Sequence, residues 1–294
     1  MRRRQLYKDL MSRILVVGMG YLGRAVAARA IEAQYEAAMA SLEGGEEVLP
    51  VDLGEEASVR LLASRVGQPD VIIHCASTSR GGAEAYRRVF ADGCRNLTSC
   101  FPSSRVILCS SSSVYPQQEG ETVTEESPVA ALTENTGFLL EAEKCVLDSS
   151  GVVARLSNLY GPGRSVLLTR FLEGHAALED RGQKFVNHIH RDDAAVALVL
   201  LAGMEAAGGQ VYNVTDSLPL NQKKMYRALC SLFLKSPLPS EPRRAGGKRP
   251  WTNKAVSNAK LLETGWLPQY PSFLDAVPDL VPTLDIALPE SADE

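Results

Sequence analysis

The feature that most constrains this chain lies near its start. A run of branched apolar residues, Arg13-Ile-Leu-Val-Val17, passes directly into Gly18-Met-Gly20-Tyr-Leu-Gly23. A strand that ends in G-x-G-x-x-G and opens a helix is the context in which this pattern binds a dinucleotide. Gly18 permits the tight turn, Gly20 lets the backbone approach a pyrophosphate, and Gly23 lets the helix pack closely on the strand. Tyr21 and Leu22 begin that helix, whose unpaired N–H groups face the phosphates. An acid at the end of the second strand commonly bonds the ribose of NAD. The corresponding stretch, Ala38-Met-Ala-Ser-Leu-Glu43, has no acid at the expected spot and no arginine. Ser41 is the polar group placed there, and NAD and NADP both stay open.

Short apolar runs and helical patterns then alternate along the chain. Strands are expected at 13–17, 35–40, 48–51, 70–75, 105–110 and 152–156, with helices at 22–33, 57–66, 82–100 and 136–149. Continuous apolar strands separated by helices specify a parallel sheet covered on both faces, a doubly wound α/β (Rossmann) fold. After Gly161-Pro162-Gly163 the alternation breaks down, leaving helices near 165–174 and from Asp192, and a last strand near 210–214. The remainder reads as a smaller, mainly helical C-terminal substrate lobe. The expected division is a flexible extension (1–10), an NAD(P)-binding domain (11–165 and 188–216), the lobe (166–187 and 217–285) and an acidic tail (286–294).

Composition removes several classes of function. The chain has 294 residues, 45% hydrophobic and 22% charged, which excludes global disorder. A net charge of −4 argues against a dedicated nucleic-acid binder. The six cysteines form no C-x-x-C pair, so no metal site is expected. The longest apolar stretch, Ala194 to Met204, is too short to span a bilayer and reads as a buried helix. No signal-peptide core follows the basic start, so reduced cysteines and a cytoplasmic location are expected.

Later segments fall in a recognisable order: Val51-Asp52-Leu53, His74-Cys75-Ala76-Ser77, Ser110-Ser-Ser-Ser-Val-Tyr-Pro116, Arg155-Leu-Ser-Asn158-Leu-Tyr-Gly-Pro-Gly163, His190-Arg-Asp-Asp193, Tyr212-Asn-Val214, and Ser257-Asn-Ala-Lys-Leu261 through Gly265-Trp266 and Pro268. From about residue 11 to 273 the chain resembles the extended short-chain dehydrogenase/reductases, the NAD-dependent epimerase/dehydratase family. The resemblance implies NAD(P) as cofactor, with Asp52 and Leu53 beside the adenine and Cys75, Ala76, Ser77 and Ser110 lining the cofactor. It also implies Ser111 bonding a substrate oxygen, and Asn158, Arg164, Arg243 and Arg244 as substrate contacts. A small-molecule substrate, with no nucleic-acid or membrane partner, goes with it. So does a monomer or a homodimer joined through the helices at 82–100 and 136–149.

One departure from the family matters more than the agreements. Its catalysis uses Tyr-x-x-x-Lys, whose spacing puts both side chains on one helix face. The stretch here is Asn135-Thr-Gly-Phe-Leu-Leu-Glu-Ala-Glu-Lys144, where the residue four after Asn135 or Thr136 is Leu139 or Leu140. No tyrosine in the sequence is followed by lysine at that spacing. The expectation is therefore an atypical NAD(P)-dependent oxidoreductase or epimerase-like enzyme acting on a small polar or nucleotide-linked substrate. The alternative is a catalytically silent NAD(P)-binding sensor or regulator.

Each candidate residue also has a structural reading. Ser111 is a substrate-orienting hydroxyl or a cap on backbone groups. Tyr115 is a substitute proton donor or a packing residue beneath the lobe junction. Glu141 and Glu143 are a substitute base on the helix that lacks the dyad or solvated helix carboxylates. His188 and His190 are assigned to opposite faces of an extended segment, His190 with a structural hydrogen bond, and Asp192 and Asp193 to the start and cap of the following helix. The basic segment Arg243 to Arg249 is an anion-binding lid or a plain surface loop, with Arg155 and Arg164 beside the Y-G-P-G turn as rival anion contacts.

Overall fold

The computed structural model describes residues 12–78, 81–242 and 250–286. Strand β1 (Arg13–Val17) is buried from Ile14 onward and passes through the glycine turn into α1 (Tyr21–Glu32). Then follow β2 (Glu36–Ser41), β3 (Val48–Pro50), α2 (Glu56–Val66) and β4 (Val71–His74). Helix α3 combines Ala83–Tyr86, a π-helical stretch Arg87–Asp92, and Gly93–Cys100. It leads to β5 (Arg105–Ser111), short β6 (Glu121–Val123), α4 (Glu134–Asp148) and β7 (Val152–Leu156). Helix α4 starts where it does because Thr133 and Thr136 exchange side-chain-to-backbone hydrogen bonds in a capping box.

The second half contains β8 (Asn158–Tyr160), α5 (Val166–Leu172), β9 (Leu178–Glu179), β10 (Phe185–Val186) and β11 (His188–His190). Helix α6 (Arg191–Gly203) and β12 (Val211–Val214) come next, followed by β13 (Leu220–Asn221), α7 (Gln222–Leu232), β14 (Ser240–Glu241) and β15 (Lys254–Val256). Seven strands form the main sheet in the order β12-β7-β5-β4-β1-β2-β3, every pair parallel. From β1 the chain builds outward to β3, then returns to β4 and builds the other way. The strand order therefore reverses between β1 and β4, where such sheets open a ligand crevice at their carboxyl ends.

Two apolar layers cover the sheet. Leu22, Val26, Ala27 and Ala30 of α1 pack with Ala194, Ala195, Leu198 and Leu201 of α6 on one face. Val59 and Leu62 of α2, Leu97 of α3, and Leu139 and Val146 of α4 cover the other. A third cluster, including Tyr160, Leu168, Phe171, Met225, Leu229 and Phe273, gathers residues from the second half alone. The helix expected from Asp192, with its apolar stretch 194–204, is α6, which starts one residue earlier because His190, and not an aspartate, caps it: the His190 ring accepts from Asp192 N (3.3 Å). Asp193 turns inward, its carboxylate accepting from Gln269 N (2.7 Å) and Tyr270 N (3.1 Å). The small pairs β6–β15, β8–β11, β9–β14 and β10–β13 stand outside the main sheet. Among the described residues no helix is long and apolar enough to cross a membrane.

Candidate functional site

At the switch point the three glycines answer to different constraints. Gly18 has φ +95°, and a Cβ there would lie 2.2 Å from Ala76 N. A Cβ on Gly23 would lie 1.9 Å from Gly18 O, so both positions are closed by neighbouring backbone. Around Gly20 nothing lies within 4 Å of that position. Gly20 is also the N-cap of α1, with no side-chain cap and no acid in the first turn. An open approach to uncapped N–H groups at a helix N-terminus fits a pyrophosphate. Cys75 N donates to Val17 O (2.7 Å), which brings residues 75–77 against the turn. The Cys75 and Cys109 sulfurs lie 3.7 Å apart, and that contact together with burial pushes the Cys75 thiol pKa up.

The outer end of this crevice is more occupied than the sequence suggests. The Asp52 carboxylate accepts from Gly54 N (2.9 Å) and from Arg88 Nη2 (2.8 Å), and Arg88 also reaches Glu55 (3.0 Å). Asn96 donates to Leu53 O (2.8 Å), fixing α3 against this loop. Ser41 ends β2, and its carbonyl accepts from Val51 N (2.8 Å). Leu22 points into the core, leaving only its backbone for a ligand. The Tyr21 hydroxyl donates to Pro162 O (3.0 Å), and the Arg164 and Arg191 guanidiniums lie 5.2 and 5.0 Å from its ring centroid. Tyr21 thereby ties the start of α1 to the Y-G-P-G turn.

Where β5 ends, a cavity of 540 Å³ opens between Ser111 and the first turn of α4. Ser111 Oγ accepts from Ser113 N (3.1 Å), capping the short 3-10 turn Ser112–Val114, and Ser111 also lines the cavity. Both readings of this serine are thus compatible with one geometry. Helix α4 presents Asn135, Thr136 and Leu139 to the space. Asn158 lines it too, its amide donating to Asn187 O (3.0 Å). Asn158 also lines a second cavity of 610 Å³, and Arg164 belongs to that one. Arg243 and Arg244 lie outside the described residues.

Ser110 and Tyr115 do not reach the cavity. Successive strand residues face opposite sides, so Ser110 turns inward and donates to Glu143 Oε1 (2.5 Å). Arg155 pairs with Glu143 (2.6 Å) and donates to the Tyr115 hydroxyl (3.0 Å), which donates to Asn213 Oδ1 (2.8 Å). Tyr115 is 0% exposed and burial raises its pKa, so its phenol is committed within the fold. Glu143 is therefore no solvated carboxylate, while Glu141 is exposed and pairs with Arg95 (2.7 Å). The histidine expectation also changes. Residues two apart in a strand share a face, and both rings pack edge-on against Tyr160, with centroids at 5.7 and 5.3 Å. Burial lowers the His188 pKa to about 4 and also lowers that of His190. Among the described residues no cluster of three or more His, Cys, Asp or Glu groups is placed to hold a metal.

With this geometry in place, comparison with known proteins is decisive on one point. The model of the NAD dependent epimerase/dehydratase family matches residues 14–215. The chain belongs to that family. Among solved structures, a protein from Methylobacillus flagellatus described as an NAD-dependent epimerase/dehydratase is similar at TM-score 0.75 and 25% identity, covering 92% of this chain and 98% of that one. The human epimerase family protein SDR39U1 (isoform 2) with NADPH shares the fold at TM-score 0.76 and 16% identity, covering 92% and 100%. So does DesIV, a dTDP-glucose 4,6-dehydratase from Streptomyces venezuelae with NAD and TYD bound, at TM-score 0.73 and 19% identity, covering 92% and 96%. No curated protein matches the sequence significantly.

Membership of the NAD-dependent epimerase/dehydratase family makes a nicotinamide dinucleotide the cofactor class, and the open Gly20 approach fits one. Three residues near the family site escaped the sequence reading. Arg88 gave no signal because it lies in a helix remote from Asp52 in sequence. Ser157 and Lys254 both line the 540 Å³ cavity. Ser157 adjoins Asn158 and was within reach of the motif. Lys254 reads as an ordinary surface lysine until β15 pairs with β6 and carries it inward.

Proposed function

We propose that the chain is an atypical NAD(P)-dependent oxidoreductase of the epimerase/dehydratase kind, acting on a small polar or nucleotide-linked substrate in the cavity at the end of β5. The observation that carries this reading is the position of Ser111. It closes a central strand at the carboxyl edge of the sheet and lines a cavity large enough for a small substrate. The dinucleotide, when bound, supplies a two-electron hydride acceptor or donor. The backbone N–H groups at Gly20 to Leu22 would hold its pyrophosphate, and residues 75–77 would wall it. Ser41 and Asp52 stand at the ribose and adenine end, where Asp52 shares its carboxylate with Arg88.

Because Ser111 Oγ already accepts from Ser113 N, its hydroxyl proton is the part left to donate to a substrate oxygen. Asn158 offers an amide beside it. The division into a dinucleotide-binding part (11–165 and 188–216) and a substrate part (166–187 and 217–285) belongs to the same reading, as does a cytoplasmic location.

One observation favours a silent NAD(P)-binding sensor: α4 brings Asn135, Thr136 and Leu139 to the cavity, and the nearest phenol, Tyr115, is fully engaged elsewhere. Calorimetric titration with NAD, NADH, NADP and NADPH tests the shared foundation, and binding tighter than about millimolar is expected for at least one pair. Absence of binding by all four removes both readings. With a substrate in hand, Ser111→Ala is expected to retain cofactor affinity and lose turnover, and unchanged turnover would take Ser111 out of the mechanism.

A further inference from the structure

The Ser111 cavity contains charge and hydrogen-bonding capacity that the fold does not itself satisfy. Lys254, the first residue of β15, is 6% exposed and lines this cavity. Its Nζ donates to Tyr115 O (2.7 Å) and Thr252 Oγ1 (3.2 Å). Both acceptors are neutral, and an ammonium has a third N–H to place. None of the ion pairs among the described residues includes Lys254. Ser157, in the same cavity, is 7% exposed, and its Oγ is buried without a hydrogen-bond partner. Lys184 adds a second cation to the wall, its ammonium 4.7 Å from the Trp251 ring centroid. A buried charge is costly unless paired. An oxyanion brought by a ligand supplies the missing counter-charge and acceptors together.

We infer that this cavity takes a substrate bearing a carboxylate or phosphate oxyanion, and that Lys254 is the residue that binds this oxyanion. Lys254 holds the carbonyl of Tyr115, at one end of the short turn that Ser111 caps at the other. The oxyanion is thereby set close to the hydroxyl that Ser111 orients. That last point rests on the proposed function, whereas the anion site itself does not. The other ionisable groups lining the cavity are Tyr86, Glu134 and Lys184, and Glu134 is exposed.

Burial, with Lys184 adding to it, lowers the Lys254 pKa to about 8. A bound oxyanion favours the charged form and raises it again. Binding therefore takes up a proton, about half a proton per site at pH 8, and anion affinity falls as pH rises above 8.

The test is calorimetric titration of the full chain with malonate and with inorganic phosphate, at pH 8 in buffers of different ionisation enthalpy. The expected result is one anion bound in the millimolar range or tighter, with the proton uptake stated. The preferred probe tells carboxylate from phosphate. Lys254→Met is expected to bind at least ten-fold more weakly and without proton uptake. Lys254→Arg is expected to keep binding but lose the uptake, because a guanidinium stays charged at this pH. Failure of both probes to bind, binding without uptake, or full affinity in a folded Lys254→Met protein would each overturn the proposal. Should the Met variant not fold, wild-type uptake and the Arg variant decide alone. NAD and NADPH titrated in parallel separate the two readings. Anion binding without dinucleotide binding sinks the proposed function and leaves the site, and the converse sinks the site.

Discussion

Gly18 and Gly20 are two residues apart and forbid substitution for unrelated reasons. At Gly18 a methyl would meet backbone at 2.2 Å on a φ of +95°, so Gly18→Ala is expected to cost roughly 2–4 kcal/mol in urea unfolding. At Gly20 the methyl meets nothing within 4 Å. Gly20→Ala should therefore unfold within about 0.5 kcal/mol of the parent, yet bind NADH at least ten-fold more weakly by calorimetry. Glu141 and Glu143 make a similar contrast. They are about 200° apart around α4, so only one can face β5. Arg155→Met, which strands the buried Glu143 carboxylate, is expected to cost about 3–5 kcal/mol. Glu141→Ala should cost under about 1 kcal/mol, since its pair with Arg95 is exposed. Both read alike in the sequence, because periodicity does not say which turn of α4 meets Arg155.

At the scale of elements, legibility followed length and apolar continuity. Strands β1, β4, β5 and β7 and helices α1 and α6 stood out because their buried residues run together or repeat at helical spacing. The two- and three-residue strands outside the main sheet did not, since each exists only through its pairing partner: β15 is a strand because it lies beside β6, Lys254 pairing with Glu121 across 133 positions of sequence. The π-helical stretch in α3 was equally hidden. Within it the Val89 carbonyl accepts from His74 Nε2 (2.9 Å), a contact between residues 15 apart. Helices α1 and α6 approach closely because alanines line both: Ala27 and Ala30 on one, Ala194 and Ala195 on the other. Ala30 is 0% exposed, so Ala30→Leu is expected to overpack this contact and cost about 1–3 kcal/mol in thermal or urea unfolding.

For the whole molecule, two buried groups set opposing trends with pH. His188 stays neutral in the fold down to about 4, whereas in the unfolded chain it takes a proton near 6.5, so stability falls as pH drops through that window. Burial raises the Asp216 pKa from 3.8 to about 8. The native state then holds the extra proton between those values, and stability falls as pH rises through them. Below about 6.5 the two nearly offset, and above it Asp216 acts alone. Asp216→Asn should therefore gain on the parent as pH rises from 5 to 8, by up to about 4 kcal/mol. A constant gap in urea unfolding at the two pH values would contradict this.

The β5–β7 pairing sets Ser110 opposite Arg155 and Ser111 opposite Leu156. Ser110 is held by Glu143, which Arg155 holds in turn. This works as a ratchet on alignment: sliding β5 by one residue would turn Ser111 inward, turn Ser110 outward and tear the ion pair. The side of the strand that meets a ligand is thus insulated from the side that fixes its position. A change at the ligand-facing position 111 therefore leaves the Ser110–Glu143–Arg155 alignment of the strand untouched.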